Sequence, residues 1–447
     1  MSEQGPGTKK TGLPASAYFN AVDENETIFT VNASAMKFGP GALRELGADA
    51  VSLGMKRVAL YIDGQVARTQ PGEIARESLR VAGVDCAVYE SARCEPDSDS
   101  FVQAGQFARE GRFDGFISLG GGSVMDTAKA ANLLSCYPDD LMAYINTPIG
   151  RGKPVPGPLK PHIACPTTCG TGSETTGIAI VDLKNVGLKT GIASPRIKPT
   201  MAIVDPDTTD SLPSGVIAST GFDVLTHAVE SYTARAFTSR PRPGHPAERP
   251  PYQGATPYNV IGSLAAIRLG CEYLVRAVKD PKDQAARHNL MFAATLAGLA
   301  FGSAGVHIPH AMSYSVATLK HEYMAAGYEG LEPMAPHGIA VVLNAPAAFR
   351  FTAPAAPERH LDAARAMGAH VLDVSKEEAG EILAQRFIEL MRETGLPNGL
   401  NALGYTEADV PALAEGAYAQ QRPLFMAPCA VSKADLEEIY RDAMRYW

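Results

Sequence analysis

Apolar residues run four to eight at a time through the first half of the chain, and each run ends on a polar or glycine-rich turn. Lys56 to Asp63 reads KRVALYID, and Phe113 to Leu119 reads FDGFISL before three glycines and the helical pattern SVMDTAKAANLL. His162 to Cys165 leads into PTTCGTGSETTG, and Met201 to Val204 into DPDTTDSLP. Short apolar runs alternating with helical periods predict a mostly parallel α/β sheet. Beyond Asp207 the strand pattern fades and Ala-rich helical periods take over at Phe222 to Ala236, Val260 to Val278, Arg287 to Gly302 and Ala379 to Gly395. The predicted organisation is an α/β domain over 1–206 and an all-helical domain over 207–447.

Two stretches break this pattern. Between Thr238 and Pro257 lies SRPRPGHPAERPPYQGATP, whose prolines forbid a regular helix or strand and predict an excursion. Asn289 to Leu319 holds no Lys, Arg, Asp or Glu over 31 residues. Its Ala, Gly, Ser and Thr, with His307, Pro309 and His310 among them, predict buried helices packed closely around a site rather than a membrane span.

Composition narrows the function. The 447 residues are 45% hydrophobic and 20% charged with a net charge of −8, a soluble globular balance without a Lys/Arg cluster, which argues against nucleic acid and membrane as partners. The 42 glycines and 33 prolines stay below the share that marks a low-complexity chain. Seven cysteines at irregular spacing lack the paired pattern of a structural zinc site, and a reducing compartment follows. The start, MSEQGPGTKKTG, has neither an apolar signal stretch nor an Arg-rich amphipathic pattern, so the expected location is cytoplasmic.

Three constellations carry chemistry. Gly120, Gly121, Gly122 and Ser123 form a strand-to-helix turn where backbone N–H groups can approach a phosphate, with Asp126 and Lys129 in the helix beyond. A Ser/Thr-rich loop, CPTTCGTGSETT from Cys165, offers hydroxyls to a ribose or phosphate; it also reads as a turn with a helix N-cap at Ser173. Asp63 closes a strand where a carboxylate can accept from an adenosine ribose and repel a 2′-phosphate. The third constellation is a metal set. Asp223 and His227 are four apart and share a helix face, while His310 and His337 lie in small, apolar surroundings where an unpaired ring is costly. One carboxylate and three imidazoles suit Fe²⁺ or Zn²⁺ with a position left for substrate. The remaining histidines (His162, His245, His288, His321, His360, His370) read as surface or turn residues.

In this order and spacing, GGGSVMDTAKA, CPTTCGTGSETT, DPDTTDSLP, TGFDVLTHAVESY, IPHAMSY and PHG resemble the iron-containing (group III) alcohol dehydrogenase family, from about Phe38 to the C-terminus. The resemblance implies an N-terminal dinucleotide-binding domain and a C-terminal helical metal-binding domain in a dehydroquinate synthase-like architecture, with the active site in the cleft between them, and a homodimer. It implies metal ligation by Asp223, His227, His310 and His337. It implies NAD contacts from Asp63, Gly120, Gly121, Gly122, Ser123, Asp126, Thr167, Thr168 and Lys189. Where many members carry a second histidine four residues after the third ligand, this chain has Tyr314, which becomes the candidate proton carrier.

Within the family the resemblance is strongest to members that move hydride from a hydroxy acid, such as 4-hydroxybutyrate, to an oxo acid, such as 2-oxoglutarate, through bound NAD. The alternative is an ordinary NAD-dependent metal-containing alcohol or 4-hydroxybutyrate dehydrogenase that exchanges its cofactor. A non-catalytic metabolite sensor predicts a broken ligand set, and this one is complete. Carboxylate substrates ask for a cation, and Arg196, Lys198, Arg235, His307 and Arg350 lie near the motifs.

Overall fold

The computed structural model describes residues 24–184, 187–319 and 322–447. Strands β1 (Ala35–Phe38), β2 (Arg57–Ile62), β3 (Asp85–Tyr89), β4 (Gly115–Gly120), β5 (His162–Pro166) and β8 (Met201–Val204) form one sheet in the order β1-β8-β5-β4-β2-β3, and β6 (Ile178–Leu183) pairs with β7 (Leu188–Ala193) as a separate antiparallel hairpin. Every pairing in the six-stranded sheet is parallel. Helices cover both faces, so β4 and β5 are buried along their whole length, which is why they read as unbroken apolar runs.

The side-chain period of two sorts β2 between the two cores. Val58, Leu60 and Ile62 pack with α1 (Leu46–Ser52) and α2 (Gln70–Val81). Ala59 and Tyr61 pack with α3 (Ser98–Gly111) and α4 (Gly122–Cys136) on the other face. A short α5 (Leu141–Tyr144) belongs to a third cluster, with β6 and β7.

After β8 the chain is helical: α6 (Ser214–Thr233), α7 (Pro257–Lys279), α8 (Gln284–Ala304), α9 (Ile308–Leu319), α10 (His337–Val342), α11 (Ala345–Thr352), α12 (Pro357–Ala366), α13 (Ala379–Glu393), α14 (Val410–Tyr418), α15 (Gln421–Leu424) and α16 (Lys433–Asp442). One continuous core spans them, centred on the fully buried α6 residues Phe222, Val224 and Leu225. The charge-free stretch forms α8 and α9, which meet at a bend of 103°; no single helix among the described residues is long and apolar enough to cross a membrane. Gly305 makes that bend with φ +92, at a place where a Cβ would lie 2.8 Å from the Tyr252 ring.

The excursion is ordered. Glu26 donates its N–H to the Arg240 carbonyl, Gln253 to Ser303 and Gly254 to Ala304, so its two ends are tied to opposite parts of the molecule. Two expectations are corrected. His162 and His360 are core residues, not surface or turn positions: His162 meets Ser118 Oγ at 2.8 Å across β4 and β5, and His360 meets Thr352 Oγ1 at 2.9 Å. Ser173 opens a 3-10 turn without capping it, because its hydroxyl is drawn to Asp126. His245 and His370 are exposed, His288 is half-buried opposite Asp207, and His321 lies outside the described residues.

Candidate active site

The site grows from one face of α6. Asp223, His227 and Glu230 stand at i, i+4 and i+7, so a helix with no polar outer face carries three ionisable side chains inward in a row. The bend at Gly305 turns α9 so that His310, in its first turn, points back at α6. His337 arrives from the start of α10. Asp223 Oδ1 then lies 3.5 Å from His227 Nδ1, 3.4 Å from His310 Nε2 and 3.7 Å from His337 Nε2.

These distances test the metal directly. Ligand atoms at 2.0–2.2 Å from a tetrahedral ion stand about 3.3–3.6 Å apart; the His227 and His310 separations fall inside that range and the His337 one, at 3.7 Å, just beyond it. Asp223 Oδ1, His227 Nδ1 and His310 Nε2 are buried and have no hydrogen-bond partner. Orphaned buried polar atoms are rare and costly, and here three converge with the spacing of a coordination shell. Asp223, His227 and His310 also form a compact group of possible metal-holding atoms.

Electrostatics divide the set: burial opposes charge on His310, yet Glu230 and Asp223 raise its ring to about 9. Burial alone would raise the Asp223 carboxyl, yet the imidazoles of His227, His337 and His310 outweigh it and hold it below the ordinary range. Burial pushes His227 down to about 3 against the attraction of Asp223, keeping it neutral. A flat apolar wall closes that side: the His227 ring stacks on Phe301 at 4.0 Å between centroids.

Glu230 was not reached from sequence. It is fully buried; Oε1 accepts the backbone N–H of His307 at 2.8 Å and of His310 at 3.3 Å, while Oε2 takes a very short contact from His310 Nδ1. It therefore caps the start of α9 and fixes the His310 ring with Nε2 facing Asp223, the arrangement in which a carboxylate orients a ligating imidazole. Its signal was an acid seven residues after Asp223 in an otherwise apolar helix.

Beside this centre, two loops leave the carboxyl ends of adjacent strands, where Gly120 is in register with Pro166. They are built to touch: a Cβ on Gly122 would lie 2.6 Å from Thr171 Cγ2, and one on Gly121 3.3 Å from Thr168 Cγ2. Gly120, Gly121, Gly122, Ser123, Thr167 and Thr168 thus share one patch at the N-terminus of α4. Asp63 closes β2; its Oδ1 accepts from Gln65 and Val66 N–H at 2.9 and 2.8 Å, which sets the turn. The second loop is fixed from behind, since Gly172, at φ +58, would place a Cβ 2.6 Å from the Gly298 Cα of α8.

Two sequence expectations change. Asp126 is not free for a nucleotide: Oδ1 accepts from Ser173 Oγ at 2.6 Å, Oδ2 from Ile180 N–H at 2.9 Å, and Lys129 Nζ lies 3.5 Å away. It braces the loop internally, and burial raises its carboxyl above the ordinary value. Lys189 is buried and ion-paired with Glu95, a left-handed residue (φ 53) whose N–H donates to Ser123 Oγ at 3.2 Å. Glu95 was also missed, and it ties the glycine turn to the hairpin.

Most of the proposed carboxylate anchors are engaged with other partners. Arg196 is exposed, Lys198 binds Asn32, Arg235 stacks on Phe425 at 4.4 Å, and Arg350 pairs with Glu381 and Asp442. His307 is enclosed, with Nε2 at 3.0 Å from Thr233 Oγ1. Tyr314 is buried one turn beyond His310, and burial raises its phenol above the ordinary value, so it stays protonated.

Comparison with known proteins carries the same architecture. Residues 33–206 match the family model described as iron-containing alcohol dehydrogenase, and residues 245–444 match the C-terminal model of the Fe-containing alcohol dehydrogenase family. A Rattus norvegicus protein named "Hydroxyacid-oxoacid transhydrogenase, mitochondrial" is 44% identical over 421 residues, 94% of this chain and 90% of its own length. Among solved structures, a 1,3-propanediol oxidoreductase superposes with a TM-score of 0.79 at 28% identity over 93% of this chain and all of its own. A sulfoacetaldehyde reductase from Bifidobacterium kashiwanohense in complex with NAD⁺ does so with 0.75 at 25% identity, over 93% and 98%. The cytoplasmic expectation, drawn from the cysteine pattern and the first dozen residues, is overturned here, because the transhydrogenases this chain matches are named mitochondrial. With matches along both halves, buried polar atoms of Asp223, His227 and His310 converging on one point and a glycine turn at the carboxyl edge of a parallel sheet, the chain belongs to the iron-containing alcohol dehydrogenase family.

Proposed function

We propose that this protein transfers hydride from a hydroxy acid, such as 4-hydroxybutyrate, to an oxo acid, such as 2-oxoglutarate, using one site and one bound NAD for both halves. The observation that carries the reading is the convergence of three orphaned, buried polar atoms, from Asp223, His227 and His310, together with a glycine turn at the carboxyl edge of the sheet. The high identity to a transhydrogenase over almost the whole chain supports the choice of substrates.

Asp223, His227, His310 and His337 hold the divalent metal, Fe²⁺ or Zn²⁺. When bound, that ion acts as a Lewis acid that lowers the pKa of an alcohol and polarises a carbonyl. The rest belongs to the chain. Gly120, Gly121, Gly122 and Ser123 would hold the pyrophosphate on backbone N–H groups at the start of α4, with Thr167 and Thr168 beside it, and Asp63 would hold the adenosine ribose. Glu95 holds Lys189 at the hairpin. Phe301 keeps water from one face of His227. Tyr314, held neutral, donates a hydrogen bond near the reacting oxygen instead of changing charge.

The α/β domain over 1–206 carries the nucleotide, and the helical domain over 207–447 the metal and substrate. The protein works as a homodimer: Phe38 on the edge strand β1 and Phe292 on α8 form an exposed aromatic pair at 5.1 Å, a surface suited to a second copy, and sedimentation velocity tests it. The functional test is turnover of 4-hydroxybutyrate with 2-oxoglutarate in the absence of added NAD⁺. Turnover that appears only with added NAD⁺ would instead favour the ordinary dehydrogenase.

A further inference from the structure

A hydroxy acid differs from an alcohol by a carboxylate, and on a chain of net charge −8 that group needs a cation of its own. Among the described residues two arginines keep buried guanidinium nitrogens without a partner, Arg240 and Arg422. Arg240 lies in the excursion close to the ion pair of Glu26 and Arg249, whose acid offsets its charge. Arg422 Nη1 has no hydrogen-bond partner, and it belongs to a narrow crevice whose walls include Asn146, Thr190, Gly191, Tyr314 and Gln420.

This crevice is joined to the proposed reaction centre on both sides. Tyr314 follows His310 by one turn of α9, about 6 Å along the helix. On the other side Thr190 and Gly191 follow Lys189 in β7, and Gln420 Nε2 donates to the Lys189 carbonyl at 3.0 Å. Arg422 itself lies over the Tyr252 ring, 4.7 Å from its centroid. Tyr252 packs with Phe301, the residue stacked on His227. The Pro-rich excursion thereby acquires a task, since it delivers Tyr252 as the platform that holds the guanidinium in place.

We propose that Arg422 anchors the substrate carboxylate through its free Nη1 edge, selecting acids whose carboxylate stands three bonds from the carbon that gives or receives hydride. The proposal rests on the transhydrogenase reading above and deepens it. In 4-hydroxybutyrate the path from C4 to C1 is three bonds, and in 2-oxoglutarate the path from C2 to C5 is also three. One fixed cation therefore serves both half-reactions in the same pocket. A guanidinium already desolvated and stacked makes a charge-assisted pair without losing its own rotamer freedom at that moment.

The test compares holoenzyme with Arg422→Gln and Arg422→Lys. For Gln, kcat/KM for 4-hydroxybutyrate and for 2-oxoglutarate is expected to fall on the order of 10- to 100-fold, mostly through KM. Butan-1-ol oxidation with added NAD⁺ and NAD⁺ affinity are expected to stay essentially unchanged. Lys, which keeps the charge, is expected to lie between wild type and Gln, and covers the case in which Gln fails to fold. Butyrate inhibition should weaken by the same factor as the acid substrates, a readout independent of alcohol turnover. Equal losses for butan-1-ol and 4-hydroxybutyrate, or lost NAD⁺ affinity, would overturn the anchor. If wild type needs added NAD⁺ while Gln still loses the acid selectively, the transhydrogenase reading fails and the anchor stands.

Discussion

Glu230 offers the sharpest perturbation, because one carboxylate meets three donors. Its Oε1 accepts two backbone N–H groups and its Oε2 takes the His310 Nδ1 proton. In Glu230→Gln one oxygen becomes an NH₂. With that amide facing His310, Nδ1 must accept, and the ring proton moves to Nε2, the atom that faces Asp223 and that a metal needs bare. With the amide turned around, it confronts two backbone donors instead. Loss of an orienting partner of this kind costs roughly 10- to 100-fold in metal affinity, or about 1.4 to 2.7 kcal/mol. The assay is a competition titration of the apoprotein with a chelator of known affinity, with circular dichroism to confirm the fold. An unchanged metal Kd in a folded Glu230→Gln variant would refute the claim that Glu230 fixes the His310 ring.

Other consequences follow from packing and titration. Gly298→Ala should lower stability by about 1–3 kcal/mol and weaken NAD binding, since the new Cβ would lie 2.5 Å from Thr175 Oγ1 and 2.9 Å from the Gly172 Cα. Gly302→Ala on the same helix meets only ordinary contacts, 3.5 Å or more away, and should stabilise as a helical Gly→Ala change normally does; thermal melts showing Gly298→Ala as stable as Gly302→Ala would contradict this packing account. His162 is held neutral, its value pushed down to about 3 by burial and then by the Lys129 charge. The unfolded chain regains about 6.5, so between these values it binds the extra proton, and stability is full above pH 6.5 and falls below it. By pH 5 this one ring costs about 2 kcal/mol. Denaturant melts of His162→Gln should therefore show a flatter decline from pH 7 to 5 than wild type, and parallel curves would show that this ring does not set the slope.

What was legible in the sequence followed burial. Strands β4 and β5 are covered on both faces and announce themselves as apolar runs, whereas the edges β1 and β3, half open to solvent, carry mixed residues and gave no signal. Asp223 and His227 were legible from helical spacing, and His310 and His337 from the apolar company that makes an unpaired ring costly. Glu230 escaped because a helical glutamate is ordinarily a surface residue, and only the turn of α9 brings three donors to it. Asp126 misled for the opposite reason: its place in the glycine-turn motif implied a ligand contact, while its oxygens are satisfied by a loop 47 residues away and by β6. Arg422 had no local signature in QQRPLF, because its environment is assembled from the excursion, α9 and the hairpin. His162 and His360 show the limit of reading a histidine without its neighbours, since each finds one hydroxyl across a core contact.

The central claim is that one metal centre and one resident NAD serve both a hydroxy acid and an oxo acid. The direct measurement is anaerobic incubation of purified, metal-analysed protein with 4-hydroxybutyrate and 2-oxoglutarate, without added NAD⁺, following both products over many turnovers. The account predicts equal amounts of 4-oxobutanoate and 2-hydroxyglutarate, far above the enzyme concentration and dependent on bound divalent metal. Product formation that stops without added NAD⁺, or that persists unchanged in metal-free protein, would contradict it.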